Sequence, residues 1–193
     1  NSRLNVETRV NRGLTYGANS GFGGSLYAGD FSADTYTRTD TTVETTKVIL
    51  DEIRKMAGGE VTADELNVAR DYLSGVFVIA TETPNQVADR VTNAAFYGLP
   101  DDYNQTYPAK VRAMTAEQVR LMAARYFDAA NQNLVLVGNA AAFRDQLKAA
   151  FPGAKYEEIS SDDLDLIAPD LRKMAQAPAP QRGTAPGFAN SAR

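Results

Sequence analysis

The segment spanning residues 8–16 holds two side chains able to do chemistry, an arginine and a tyrosine seven positions apart. It reads Thr-Arg-Val-Asn-Arg-Gly-Leu-Thr-Tyr, which puts Arg9 near the end of a predicted helix and Tyr16 in a predicted strand. A guanidinium stays charged at any working pH and a phenol donates a hydrogen bond, so the pair can stabilise a developing oxyanion. The structural alternative is that Arg9 favours the helix dipole and that Tyr16 only packs.

The rest of a catalytic site is missing from the sequence, because the chain contains no histidine and no cysteine. Histidine is the usual acid–base residue and zinc ligand, and cysteine is the other common zinc ligand. The remaining carboxylates suit harder cations, and no calcium-loop or phosphate-loop motif is present. We therefore predict that this chain binds no metal and supplies only part of a catalytic site.

Composition narrows the class of protein. The chain has 193 residues, of which 44% are hydrophobic, which is enough for one globular domain with or without a tail. Its net charge of −4 argues against a nucleic-acid partner, since nucleic-acid-binding domains are usually basic. No apolar run approaches the length of a membrane span, so we also expect no membrane partner.

The elements that must position Arg9 and Tyr16 are a helix and a hairpin. A helix is predicted over residues 2–12, with Ser2 as its N-cap and Gly13 stopping it. Apolar residues at even positions then predict a half-buried strand, and a second extended stretch runs from about residue 30 to 39. The alternating apolar positions are Leu14, Tyr16, Ala18 and Phe22, and the glycines expected to supply the turn are Gly21, Gly23, Gly24 and Gly29.

Helices dominate the remainder. Four capping boxes predict helix starts, and the apolar stripes behind them are expected to pack against a sheet or another helix. The boxes are Thr41 with Glu44, Thr62 with Glu65, Thr83 with Gln86, and Thr115 with Gln118. The run Leu134 to Gly138 predicts a central buried strand, followed by a helix over 140–150 and an edge strand over 154–159. Residues 171–193 form a predicted flexible, basic tail rich in Pro and Ala.

The N-terminal residues resemble the C-terminal half-domain of the pitrilysin (insulinase, mitochondrial processing peptidase) family of zinc metalloendopeptidases. That half-domain carries an arginine and, seven positions later, a tyrosine within a Gly-Leu-x-Tyr strand start, a spacing that Arg9 and Tyr16 match. The order of predicted elements agrees, as do Thr-Ala-Asp-Glu-Leu at 62–66 and Gly-Leu-Pro-Asp-Asp-Tyr at 98–103. The resemblance covers roughly residues 2 to 170.

The resemblance implies an α+β half-domain over residues 1–170, with helices on one face of an antiparallel sheet and without the family's usual first strand. It also implies that Arg9 and Tyr16 bind the scissile carbonyl or tetrahedral intermediate of a peptide or protein substrate. The zinc and the H-x-x-E-H motif, in which two histidines bind the metal and the glutamate activates water, would lie on a partner domain or subunit. The chain alone is expected to be inactive.

Two positions depart from the family pattern, since Thr8 and Val10 replace its usual leucine and glutamate. Two alternatives stay open: a non-catalytic structural subunit or interaction module of the same fold, and an unrelated α+β binding domain with a chance motif. Bacterial relatives are often exported, so the resemblance further implies a periplasmic location.

Overall fold

A computed structural model describes residues 2–127, 132–169 and 172–173. This part of the chain is α+β, as predicted, with a two-stranded antiparallel sheet and seven α-helices. The strands are β1 Thr15–Gly24 and β2 Gly29–Thr37; the helices are α1 Arg3–Asn5, α2 Thr42–Ala57, α3 Ala63–Ile79, α4 Pro84–Phe96, α5 Tyr103–Ala113, α6 Ala116–Tyr126 and α7 Ala140–Ala150. The chain divides into two compact units between Pro152 and Gly153.

The predicted N-terminal helix is confirmed, but most of it is wound as a π-helix. Ser2 caps α1 by accepting a hydrogen bond from the Asn5 amide at 3.3 Å. The π-helical segment Val6–Asn11 follows directly and contains Arg9. Gly13 ends the helix with a φ of +60°, which glycine adopts without the steric cost that a side chain would bring.

The predicted hairpin is also confirmed, although its turn is displaced. Pairing continues to Gly24↔Gly29, so Gly21 and Gly23 lie in the ladder and the turn falls at residues 25–28. The second strand stops at Thr37, short of the predicted residue 39.

A bulge near the start of β1 overturns part of the predicted burial pattern. The register shifts between Thr15 and Ala18, which leaves Tyr16 out of phase with the face that packs on the protein. Leu14 and Ala18 are buried as expected, whereas Tyr16 is 88% exposed. Phe22, expected on the same buried face, is also mostly exposed, although its ring lies 5.1 Å from that of Phe31.

Three of the four predicted capping boxes form. In each, the threonine accepts the backbone N–H three residues on, and the Glu or Gln side chain reaches back to the threonine amide; the pairs are Thr62 with Glu65, Thr83 with Gln86, and Thr115 with Gln118. The box predicted at Thr41 is wrong, because a 3₁₀ turn over Thr39–Thr41 precedes α2. There the Thr41 hydroxyl donates to the Arg38 carbonyl at 3.1 Å instead.

The core of the first unit is built around α2, which contacts the π-helical segment, β2, α6 and α7. Its buried apolar residues are Leu4, Leu14, Ala18, Val43, Val48, Leu50, Leu66, Phe77, Ala123 and Phe143. Helix α5 was not predicted; it contains Pro108, a residue that sequence patterns associate with helix ends. α5 packs on α3, where the Phe77 and Tyr107 rings stack at 4.6 Å.

Parts of the predicted apolar stripes remain uncovered by the described residues. Val87 and Val91 on α4, like Met122 and Tyr126 on α6, are exposed. Within the described ranges, no helix is long and apolar enough to cross a membrane.

The central buried strand predicted at residues 134–138 is wrong. The segment has no ladder partner among the described residues, and Val135 and Val137 are 83% and 96% exposed. A central strand requires a neighbour on each side, whereas the sheet in this part of the chain consists of β1 and β2 alone. The edge strand predicted at 154–159 is irregular for the same reason, since it also lacks a strand to pair with.

The second unit, from Gly153 onward, contains little regular structure in its described residues. A 3₁₀ turn spans Ser161–Asp163, and an isolated antiparallel bridge joins Leu164 to Arg172. The predicted tail, apart from Arg172 and Lys173, lies outside the described residues. The boundary predicted at residue 170 stays a prediction.

Candidate functional site

The structure brings Arg9 and Tyr16 together. The Arg9 Cζ atom lies over the Tyr16 ring, 4.8 Å from its centroid, in a cation–π contact. Both residues are exposed, so neither contributes to the core. Such a contact at an exposed site stabilises its geometry by about 0.5–1 kcal/mol, which is enough to bias both side chains toward one point.

Arg9 differs from the neighbouring arginines in having no carboxylate partner among the described residues. Arg12 lies 3.6 Å from a Glu7 oxygen and 3.7 Å from a Glu44 oxygen. Arg12 is therefore a surface cation engaged in ion pairs. The Arg9 guanidinium keeps its N–H donors available for another group.

The Tyr16 phenol is available in the same way, since its hydroxyl makes no hydrogen bond within the described part of the chain. Together the two side chains offer a fixed positive charge and a neutral donor at one exposed place. This combination suits an oxygen that carries or gains negative charge, such as a peptide carbonyl under attack.

The connection between helix and strand is short and tightly bonded. The buried Thr8 hydroxyl donates to the Leu4 carbonyl at 2.6 Å. The Leu14 amide donates to the Thr8 carbonyl at 2.8 Å, so β1 starts against the helix that carries Arg9. Gly13, with its positive φ, allows the chain to reverse between them.

Asn5 fixes the same two elements through its side-chain amide. Its Oδ1 accepts a hydrogen bond from the Ala18 N–H, and its Nδ2 donates to the Ala18 carbonyl, each at 2.8 Å. Both backbone groups of one β1 residue are thus bound by one helix side chain. Because Ala18 follows the bulge, this pair of bonds sets where Tyr16 stands relative to Arg9.

Threonine hydroxyls on both strands of the hairpin stabilise the bulge. The Thr15 hydroxyl accepts the Gly17 N–H at 3.1 Å and lies 2.7 Å from the Thr35 hydroxyl. Thr35 in turn donates to the Gly17 carbonyl at 2.8 Å. The extra residue on β1 is held by these bonds, which keeps the side chain of Tyr16 outside.

Sequence reasoning missed the positioning roles of Asn5, Thr15 and Thr35. Asn5 could not be singled out from the sequence, because a polar residue inside a short helix is equally well explained as a solvent-exposed side chain. Thr15 and Thr35 carry a weak signal, because threonine is common in strands and the bulge that they stabilise has no sequence signature beyond a nearby glycine.

A second ionic cluster ties the first helix to α2 and α3. Arg3 binds the Glu65 carboxylate at 2.9 Å and the Glu60 carbonyl, and lies 3.8 Å from the buried Glu52. The hydrogen bond from the Thr62 backbone, with help from Arg3, holds the pKa of Glu65 below its ordinary value. These contacts anchor the start of the helix that carries Arg9.

The described residues do not fit a zinc ion. No group of three or more Asp or Glu side chains in this part of the chain could hold a metal, and the sequence contains no histidine or cysteine. Arg9 and Tyr16 can themselves supply hydrogen bonds and charge stabilisation.

Comparison with known proteins supports the resemblance. Residues 1–73 match the family model described as peptidase M16 inactive domain. The crystal structure of a peptidase M16 inactive domain from Pseudomonas fluorescens matches with a TM-score of 0.61 and 29% identity. The chain is thus similar to the inactive, C-terminal type of peptidase M16 half-domain. No curated protein matches it significantly.

The match to the solved peptidase M16 structure covers 65% of this chain and 30% of that chain. The chain thus spans about a third of the length of the relative. Arg9, Tyr16 and all the residues that position them lie within the matched residues 1–73.

Proposed function

We propose that this half-domain binds the substrate of a two-part zinc endopeptidase, with Arg9 and Tyr16 contacting the scissile peptide carbonyl. The observation that carries the proposal is the 4.8 Å contact between two exposed side chains that have no other polar partner in the described residues. A residue needed only for folding would be buried or paired, as Arg3 and Arg12 are.

In this proposal the partner half carries H-x-x-E-H and its zinc, which supplies an activated water when bound. Arg9 and Tyr16 donate hydrogen bonds to the carbonyl oxygen of a bound peptide or protein. As water adds to the carbonyl carbon, negative charge grows on that oxygen, and the two donors bind it more tightly than they bind the ground state. The partner and its zinc are part of the proposal.

The hydrogen bonds around Arg9 and Tyr16 favour an oriented pair of donors over two independent groups. Asn5 and the threonines at the bulge fix the backbone beneath them, so little reorganisation is needed when the substrate arrives. Losing one such donor typically lowers turnover by about 10²–10³-fold.

The test is peptide cleavage by the chain reconstituted with a peptidase M16 partner that carries H-x-x-E-H. Arg9→Ala and Tyr16→Phe should each lower kcat by about 10²-fold or more while the assembly still forms, as measured by size-exclusion chromatography. Arg12→Ala, in the same segment as Arg9, and Tyr27→Phe, in the turn at the far end of the hairpin, are controls. Each removes an exposed group of the same type and should keep wild-type turnover.

Unchanged turnover in both Arg9→Ala and Tyr16→Phe would refute the roles assigned to these residues. If the natural partner lacks H-x-x-E-H, the non-catalytic structural subunit becomes the better description of this chain.

A further inference from the structure

The outer face of the hairpin, beyond Arg9 and Tyr16, carries a second exposed aromatic residue. Tyr36 on β2 is 90% exposed, and its hydroxyl makes no hydrogen bond in the described part of the chain. The proposed function gives Tyr36 no role, and the core does not use it. Single exposed aromatic residues are common on protein surfaces, so the position of Tyr36 relative to Tyr16 carries the argument.

The register places Tyr36 opposite Tyr16. Thr15 pairs with Thr37 and Ala18 with Thr35, so the two bulge residues Tyr16 and Gly17 face the single residue Tyr36. Side chains alternate along a strand, and Thr35 and Thr37 point to the inner face, where both make hydrogen bonds. Tyr36 therefore projects from the same outer face as Tyr16.

The backbone beneath Tyr36 is held on both sides. Thr35 donates to the Gly17 carbonyl at 2.8 Å, and Thr37 donates to the Leu14 carbonyl at 2.7 Å. Thr37 also lies 3.0 Å from the Thr45 hydroxyl on α2. The ring is thus displayed from a rigid support, unlike Tyr27 in the hairpin turn, and binding to it requires little ordering.

We propose that Tyr36 is a specificity-determining residue, whose ring binds an aromatic side chain of the substrate one or two residues from the scissile bond. The proposal rests on the carbonyl site at Arg9 and Tyr16. Opposed residues of a hairpin have Cβ atoms about 4.5–5.5 Å apart. An extended peptide advances about 3.3 Å per residue, so a chain whose carbonyl contacts Tyr16 brings a nearby side chain over Tyr36.

The chemistry of the ring determines the class of side chain. A tyrosine ring offers an apolar, polarisable face, which aromatic side chains contact in offset or edge-to-face geometry. A basic side chain is the competing occupant, since Asp34 is exposed two residues away on the same face of β2. Asp34 already accepts a long hydrogen bond from Asn19 at 3.5 Å, and Arg9 nearby disfavours a second cation.

The kinetic test uses the assembly with the zinc-bearing partner and peptides that differ only at the residues flanking the cleaved bond. Tyr36→Ala should raise KM for peptides with Phe at one flanking position by about threefold to tenfold, with kcat nearly unchanged. Tyr36→Phe should have the wild-type KM, because it keeps the aromatic ring. Tyr27→Ala is the matched control and should behave as wild type.

A binding readout is independent of cleavage. The chain contains no tryptophan, so Tyr36→Trp and Tyr27→Trp each introduce the single tryptophan of this chain, and the same partner with the wild-type chain supplies the background emission. With a partner whose H-x-x-E-H glutamate is replaced by glutamine, a Phe-containing peptide should shift the Tyr36→Trp emission and protect it from acrylamide quenching. The Tyr27→Trp emission should not change.

The inference is overturned if Tyr36→Ala leaves the peptide preference intact, or if the preferred residue is basic and the preference is lost in Asp34→Asn instead. A failure of the proposed function would give a different result. Arg9→Ala and Tyr16→Phe would then keep full turnover, whatever the effect of Tyr36→Ala on peptide preference.

Discussion

At the scale of the residue, the exposure of Tyr16 follows from one extra residue in β1. Even spacing along the sequence predicts Tyr16 on the buried face with Leu14 and Ala18, but the bulge reverses its direction. The seven-residue spacing of Arg9 and Tyr16 can be read directly from the sequence, and the cation–π contact between the two side chains is consistent with it. The bulge could not be predicted, because it depends on cross-strand bonds from Thr35 that sequence patterns do not encode.

The charge on Glu65 gives a pH-dependent prediction at this scale. Its pKa is lowered by the Thr62 backbone hydrogen bond and then by Arg3, so the folded state favours the ionised form. The stabilisation is present above the unfolded-state pKa of about 4.3 and is lost as the pH falls through the lower folded-state pKa. Glu65→Gln should remove this dependence and cost up to about 1 kcal/mol at pH 7.

Urea unfolding of the wild type and Glu65→Gln between pH 7 and pH 3 measures the effect. The two free energies of unfolding should converge as the pH falls. The variant itself is conservative, since Gln86 and Gln118 fill the same position of the other two capping boxes. A gap that stays constant with pH would show that Glu65 does not stabilise the fold through its charge.

At the scale of the element, local signals predicted helices better than they predicted strands. Three capping boxes and the hairpin are confirmed because each depends on neighbouring residues. The run at 134–138 has strong β propensity, but a strand requires a partner, and none lies in the described part of the chain. Helix α5 was missed because Pro108 lies inside it.

Alanine substitutions at two glycines distinguish the effect of backbone strain on stability from the effect of helix propensity. Gly13 has a φ of +60° and an added Cβ would meet nothing within 4 Å, so Gly13→Ala should cost about 1–2 kcal/mol through conformation alone. Gly75 lies inside α3 with equal space around it and no positive φ, so Gly75→Ala should stabilise by about 0.5–1 kcal/mol. Thermal and urea unfolding measure both; opposite signs are expected, and equal effects would contradict the strain assigned to the turn.

At the scale of the whole molecule, the proposal makes this chain one side of a site whose metal lies on a partner. It rests on the similarity of residues 1–73 to the peptidase M16 inactive domain and on the contact between Arg9 and Tyr16. The periplasmic location implied by the resemblance stays a prediction. The exposed helix stripes and the unpaired 134–138 segment are the features that a description of the assembled protein must explain.

The most direct test of the carbonyl-binding role is the affinity of the reconstituted enzyme for a phosphinic peptide, which mimics the tetrahedral intermediate. If Arg9 and Tyr16 bind that state, Arg9→Ala and Tyr16→Phe should weaken the analogue in proportion to their loss in kcat/KM, by about 10²-fold or more. KM for the parent peptide should change little. Analogue affinity that stays at the wild-type value in both variants would contradict the account.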